Sequence, residues 1–316
     1  MKELIVIGAG YMGQEYAKVL LDQNVDFAVI GRSAAGVENL KREFPKVQCQ
    51  AGGIEQVIAT QEPPKYAIVA TNVNTLSSIT RSLLQWGVRN ILVEKPLCFH
   101  PHEAEEIMQL ARQHSSRVYI AYNRRYYRAV QAAQALIKED GGLTSVHFEF
   151  TEWVNRIDSK KFDPDTLKHW VIANSSHVID LVFHLAGKPK ELTTWVTGNE
   201  VDWHPSGSIF MGGGFTEQNI PVNYYSNWRA PGRWSIQFST RKHRLHFAPM
   251  EQLALQKIDS VKIEPATVDY DLDQRFKPGV YGMVSDFLSA EPSSNLCTLA
   301  HTQQMLKVYR EMAGYK

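Results

Sequence analysis

Cysteine is scarce in this 316-residue chain: Cys49, Cys98 and Cys297 make three, an odd number with no CxxC pair. That excludes a disulfide-framed scaffold and leaves no zinc-type ligand spacing, so no metal is expected. An excess of one charge is missing as well. The 34 Lys and Arg against 33 Asp and Glu give a formal charge of +1, which excludes a nucleic-acid partner held by a broad basic surface. Long apolar runs are absent: Leu4–Ile7 is broken at once by Gly8 and Gly10. It has neither the length of a membrane span nor the layout of a signal peptide, so no membrane contact and a cytoplasmic location are expected. There is no internal repeat, low-complexity tract or Pro-rich linker. What is present is a 44% hydrophobic, 10% aromatic sequence, rich enough for real cores and long enough for roughly two domains.

Short apolar runs at Leu4–Ile7, Phe27–Ile30, Tyr66–Ala70, Ile91–Val93 and Val118–Ala121 read as buried parallel strands, with a weaker, more polar one at Val47–Gln50. Between them lie segments of helical period, such as Met12, Tyr16, Val19 and Leu20 on one face. Strand–helix alternation of this kind predicts a doubly wound parallel α/β sheet over residues 1–122. Near residue 144 the period changes. Val146, Phe148 and Phe150 alternate with His147, Glu149 and Thr151, and Trp234, Ile236 and Phe238 behave alike. That pattern predicts a large, mostly antiparallel open sheet, so residues 123–316 are expected to form an α+β domain for substrate binding and oligomerisation.

Gly8-Ala9-Gly10-Tyr11-Met12-Gly13 follows a strand and opens a helix. In that context G-x-G-x-x-G is a dinucleotide-binding turn. Gly8 makes the bend, Gly10 lets backbone approach a pyrophosphate, and Gly13 lets helix and strand pack closely. Tyr11 and Met12 lie within the turn, beside the free N–H groups of the helix start. An NAD site usually has a carboxylate about 20 residues on, for the ribose 2′-hydroxyl. Here Arg32 and Ser33 stand at that point, 19 residues beyond Gly13 for the arginine. A guanidinium suits a 2′-phosphate, so NADP(H) is expected over NAD(H).

The ends of later strands supply further candidates. Thr71, Asn72 and Asn74 offer small polar groups to a ribose or a nicotinamide amide. Glu94-Lys95-Pro96 follows the fifth strand, where an open α/β sheet holds its ligand, and a cis Lys95–Pro96 bond is expected. Tyr122-Asn123-Arg124-Arg125 follows the sixth, with Asn123 assigned to cofactor and Tyr122 and Arg125 to substrate. Ser175 is a candidate N-cap for a helix carrying His177, Asp180 and His184 on one face. Trp153 and Trp170, in the irregular stretch before that helix, are candidates to stack on a ring-shaped ligand, or else core anchors.

In order and spacing, the GAGYMG turn, the EKP tripeptide, the YNRR segment and the HVIDL helix resemble the Gfo/Idh/MocA family of glucose–fructose oxidoreductases and inositol dehydrogenases. The segment Asn227-Trp228-Arg229-Ala230-Pro231-Gly232-Arg233-Trp234 is similar to a subgroup linked to sugar modification for surface polysaccharides. The resemblance implies an NADP(H)-dependent enzyme interconverting a secondary alcohol and a ketone on a sugar, nucleotide-sugar or cyclitol. It makes Lys95 the lysine that hydrogen-bonds the reacting oxygen and His177 the proton donor or acceptor. The family's D-x-x-x-H pattern has Ala173 at its first position here. Asn174, one residue later, can bind substrate by hydrogen bonds but cannot ionise. A small-molecule substrate and a homodimer or homotetramer built through the second sheet are the expected partners. The rival expectation is a non-catalytic NADP-binding regulator of the same fold.

Overall fold

The computed structural model describes residues 2–315. The first 122 residues alternate as expected: β1 (Leu4–Ile7), α1 (Tyr11–Asp22), β2 (Phe27–Ile30), α2 (Ala34–Glu43), β3 (Gln48–Gln50), α3 (Ile54–Ile58), β4 (Tyr66–Val69), α4 (Val73–Trp86), β5 (Asn90–Glu94), α5 (Pro101–Gln113) and β6 (Arg117–Ala121). There follow α6 (Arg128–Glu139), β7 (Ser145–Glu149), α7 (Pro164–Lys168) and α8 (Ser176–Ala186). A run of strands comes next: β8 (Pro189–Thr197), β9 (Ile209–Thr216), β10 (Pro221–Asn227), β11 (Ser235–Ser239), β12 (His243–Phe247), β13 (Ala254–Lys257) and β14 (Ile263–Pro265). The chain closes with α9 (Asp271–Arg275), α10 (Val280–Phe287), β15 (Cys297–Thr298) and α11 (Leu299–Ala313).

Two compact units result, 1–123 with 275–304, and 124–274 with 305–316. The return of residues 275–304 to the first unit departs from the expectation that 123–316 forms one domain. Its physical basis is clear. In α10, Val280, Met283, Val284 and Phe287 are buried, with Phe287 set edge-on to Tyr66 of β4 and Tyr119 of β6. Cys297 and Thr298 then pair antiparallel with Ile120 and Tyr119 of β6.

In the first unit the strand order is β15-β6-β5-β4-β1-β2-β3, and every neighbour except β15 is parallel. β1 and β2 are buried along their whole length, which is why their sequences are continuous apolar runs rather than alternating ones. The order reverses at β1, whose neighbours are β4 and β2, so the crevice of a doubly wound sheet opens beyond the carboxyl ends of β1 and β4.

The second unit has an eight-stranded sheet ordered β14-β13-β12-β11-β7-β10-β9-β8, antiparallel except where β10 runs parallel to β7. Alternation in β7 settles its faces: Val146 and Phe148 are buried while His147 points to solvent. Phe148 stands opposite Tyr224 and Ile236 on its neighbours and meets Phe183 of α8 edge-on at 6.4 Å between ring centroids. α8 is buried nearly all round, as its apolar composition requires. Among the described residues no helix is long and apolar enough to cross a membrane.

Candidate active site

In the first unit the glycine turn has the shape that a phosphate cradle demands. Gly8 takes φ 118°, and a Cβ there would lie 2.2 Å from the Ala70 carbonyl oxygen, because β1 and β4 end side by side. A Cβ on Gly13 would lie 1.9 Å from the Gly8 oxygen. Gly10 differs: it faces open space, with nothing within 4 Å of its would-be Cβ. Gly10 is also the N-cap of α1, with no side chain capping the helix and no acidic residue in the first turn. The free N–H groups and the positive end of the helix dipole are therefore left for an anion. Tyr11 is exposed, with the Lys277 ammonium 5.1 Å from its ring centre, and Met12 is half-buried.

Arg32 is exposed, and Ser33 is occupied as the N-cap of α2, accepting from the Gly36 N–H at 3.2 Å. At the end of β4, the Thr75 hydroxyl donates to Thr71 Oγ1 at 3.0 Å, while Asn72 and Asn74 are exposed. Past β5, the Lys95–Pro96 peptide is cis, as expected. Tyr16 of α1 donates its hydroxyl proton to Glu94 Oε1 at 2.6 Å, tying the EKP turn to the helix of the glycine cradle. Burial pushes the Glu94 carboxyl up, opposed by that hydrogen bond and by Lys95 and Lys277. Tyr122 is buried, and the Asn123 amide donates to the Pro278 carbonyl at 2.8 Å. Asn123 is thereby a clasp on the returning segment 275–304. The contributions of Lys277 and Pro278 carry no sequence signal, since they lie some 150 residues or more from the groups they touch.

In the second unit His177 is buried near the start of α8, its ring centroid 6.4 Å from that of Trp234. Ser175 occupies the N-cap position of α8, as expected, but its side chain caps no backbone N–H. Its backbone is already helical, with φ −67° and ψ −19°, because a π-helical turn over Val171–Ser175 leads straight into α8. Its hydroxyl instead donates to Glu152 Oε1 at 2.7 Å, and the Asn174 amide donates to the same oxygen at 2.9 Å. Glu152, 2% exposed, also accepts from Arg233 at 3.1 Å. Burial raises its carboxyl, and these donors oppose the shift. A carboxylate thus adjoins the turn before His177 even though position 173 is alanine. Sequence reasoning missed Glu152, since its position three residues past the end of β7, before Trp153, carries no motif.

The two arginines of the YNRR segment divide. Arg125 is buried in a two-pronged ion pair with Asp180 of α8, at 2.7 Å from Nε and 2.6 Å from Nη2. Arg124 instead lines a cavity of about 610 Å³ with Trp153, Arg233, Trp234, Glu149 and Glu251. Of the two candidate tryptophans, Trp153 borders that cavity and donates to the Gly232 carbonyl at 2.8 Å. Trp170 is buried between Phe162 and Trp203, both edge-on, at 5.0 and 5.6 Å. That places it as a core anchor. His184 is only partly buried, one turn beyond Asp180 on α8.

Residues 2–122 match the family model GFO_IDH_MocA, described as an oxidoreductase family with an NAD-binding Rossmann fold. The scyllo-inositol 2-dehydrogenase (NADP(+)) IolW of Bacillus subtilis (strain 168) is 23% identical over 199 residues, 60% of this chain and 52% of that relative. The chain therefore matches about half the length of this curated relative. Among solved structures, the UDP-N-acetylglucosamine 3-dehydrogenase GnnA of Acidithiobacillus ferrooxidans is similar with TM-score 0.75 at 16% identity, over 99% of this chain and 96% of that one. The WlbA dehydrogenase of Chromobacterium violaceum, solved with NADH and UDP-GlcNAcA, gives TM-score 0.75 at 12% identity over 99% and 92%. At such identities the likeness shows a shared fold. The glycine cradle, the strand order and the family match agree: residues 2–122 carry the NAD-binding Rossmann fold described for that oxidoreductase family.

Proposed function

We propose that the chain is an NADP(H)-dependent oxidoreductase interconverting a secondary alcohol and a ketone on a sugar-type substrate. The carrying observation is the cradle at Gly8, Gly10 and Gly13, closed to side chains at both ends and open at the middle residue, on an uncapped helix start. Those residues fit a pyrophosphate, and the exposed Arg32 in place of a carboxylate fits a 2′-phosphate better than a bare hydroxyl. A nicotinamide bound there would supply or accept the hydride.

In this reading the rest is the chain's own work. Lys95 hydrogen-bonds the reacting oxygen and stabilises the negative charge that grows on it during oxidation. His177 takes the hydroxyl proton in that direction and returns it in reduction, a task suited to an imidazole near neutrality. Glu152 holds Asn174 and Ser175, and so fixes the turn from which His177 projects. Hydride transfer is tested by following nicotinamide absorbance over a panel of sugars, sugar nucleotides and inositols. Lys95→Ala and His177→Ala should each lower kcat by about a hundredfold or more, and Arg32→Asp should move the preference from NADPH towards NADH. NADPH binding with no turnover on any member of the panel would make the chain a nucleotide-binding regulator instead.

The chain is also proposed to assemble through its second sheet. Trp195 of β8, Met211 of β9 and Tyr225 of β10 are direct cross-strand neighbours, and all three are exposed. A contiguous apolar row on a sheet face suits a two-fold interface with a second copy. Trp195→Ser should shift the chain to a smaller species on a sizing column, whereas a wild-type monomer would rule the assembly out.

A further inference from the structure

The cavity of the second unit is framed by a ladder of alternating cations and rings. The Arg156 and Arg233 guanidinium carbons each lie 4.8 Å from the Trp153 ring centre, and those of Arg233 and Arg124 lie 4.6 and 4.8 Å from that of Trp234. Two guanidinium groups over each indole favour the ladder itself, and they use ring face that would otherwise stack on a ligand. What such a frame offers an incoming molecule is guanidinium N–H edges.

The two cavity arginines are not equivalent. Arg233 is satisfied by Glu152. Arg124 lies over the rings of Trp234 and Tyr127, the latter at 5.7 Å, within the fields of Glu251 and Glu152 but with no side-chain ion pair to either, and its Nε has no hydrogen-bond partner among the described residues. Burial lowers its hold on its proton, but a guanidinium stays charged in proteins. A half-buried guanidinium with an unused N–H and no direct carboxylate contact gains by meeting an anionic ligand.

Two carboxylates, Glu149 and the exposed Glu251, also line the cavity. They can accept hydrogen bonds from ligand hydroxyls, and they disfavour a doubly charged group. The volume of about 610 Å³ lies within the range of small-ligand sites, and Trp234 links this cavity to His177. We propose that Arg124 receives the carboxylate of a sugar acid, a hydroxylated ring with a single negative charge, as the substrate class of this site. The proposal rests on the oxidoreductase reading only for the ring being sugar-like.

Isothermal titration on the full chain, with and without saturating NADP+, tests it with three probes: D-glucuronate, D-glucose and D-glucose 6-phosphate. Glucuronate should bind about tenfold or more tightly than glucose, and more tightly than the phosphate. Arg124→Gln should bring glucuronate down to the level of glucose, and Arg124→Lys should fall between, keeping charge without the planar fork. Equal binding of glucuronate and glucose by the wild type overturns the proposal without any variant needing to fold, and tighter phosphate binding overturns the carboxylate assignment. Binding is read here without turnover. Arg124-dependent glucuronate binding in a chain that transfers no hydride therefore sinks only the oxidoreductase reading, and turnover of neutral sugars with no preference for acids sinks only this one.

Discussion

The two units build their sites in opposite ways. The first places its proposed cofactor site in short contiguous strings at strand ends, and much of it is backbone: Gly8, Gly10 and Gly13 would act through what they lack. The second gathers Arg124, Glu152, Trp153, His177 and Arg233 from separate elements, so that its chemistry depends on side chains held by one another. A backbone site tolerates no added atom at its pinch points yet leaves neighbouring side chains free to vary. A side-chain site tolerates drift of the backbone but is sensitive to losing one partner of a pair.

The sharpest way to break that contrast is within the glycine turn. Gly8→Val puts a side chain against the Ala70 carbonyl at a φ of 118°. It should abolish NADPH binding, read by nicotinamide fluorescence, and lower or abolish the cooperative melting transition. Gly10→Ala meets open space, so its melting temperature should stay within a few degrees of wild type while NADPH affinity still falls. Equal losses of stability in both would mean that the turn is structural only. In the second unit, Arg125→Met leaves Asp180 as a buried charge without its ion-pair partner. It should cost about 3–5 kcal/mol in urea unfolding, and a cost under 1 kcal/mol would show that the pair is not a mainstay of α8.

The smallest expected effect depends on pH. His204 is buried with its ring nitrogens on the Gly207 carbonyl and the Tyr315 hydroxyl, and burial pushes its pKa down to about 4. Between there and the ordinary value near 6.5, the unfolded chain binds a proton that the folded chain refuses. The stabilisation is therefore full above about pH 6.5 and is lost as pH falls towards 4, by up to about 3 kcal/mol. His204→Gln should flatten this part of the stability profile. An unchanged slope between pH 6.5 and 4 would assign acid sensitivity to other groups.

How much was legible follows the same division. The parallel sheet, the glycine turn, the cis Lys95–Pro96 bond and the alternating second sheet could all be read from the sequence, because each is a local pattern with a local cause. Glu152 could not be, because its meaning comes from Asn174, Ser175 and Arg233, which lie at least 22 residues away. Ser175 stands where the sequence places it, at the start of α8, but its role was not legible for a related reason. A serine before an apolar helical run is the usual mark of a helix start, and here a π-helical turn carries the helix backwards through it. Arg125, expected at the substrate, is instead buried against Asp180, since neighbouring arginines of identical chemistry differ only in the direction the chain gives them. One went to Asp180 and the other to the cavity.

The returning segment matters to anyone who would cut this protein apart. A gene fragment ending at residue 122 would encode the glycine cradle and six parallel strands, yet it would omit α10 and β15. The β6 backbone would lose its antiparallel neighbour and become a bare sheet edge. Tyr66 and Tyr119 would lose the aromatic ring that packs against both. Asn123, if added back, would find no Pro278 to clasp. A transplantable nucleotide-binding module must therefore be spliced from two stretches, 1–123 and 275–304, joined by a designed linker.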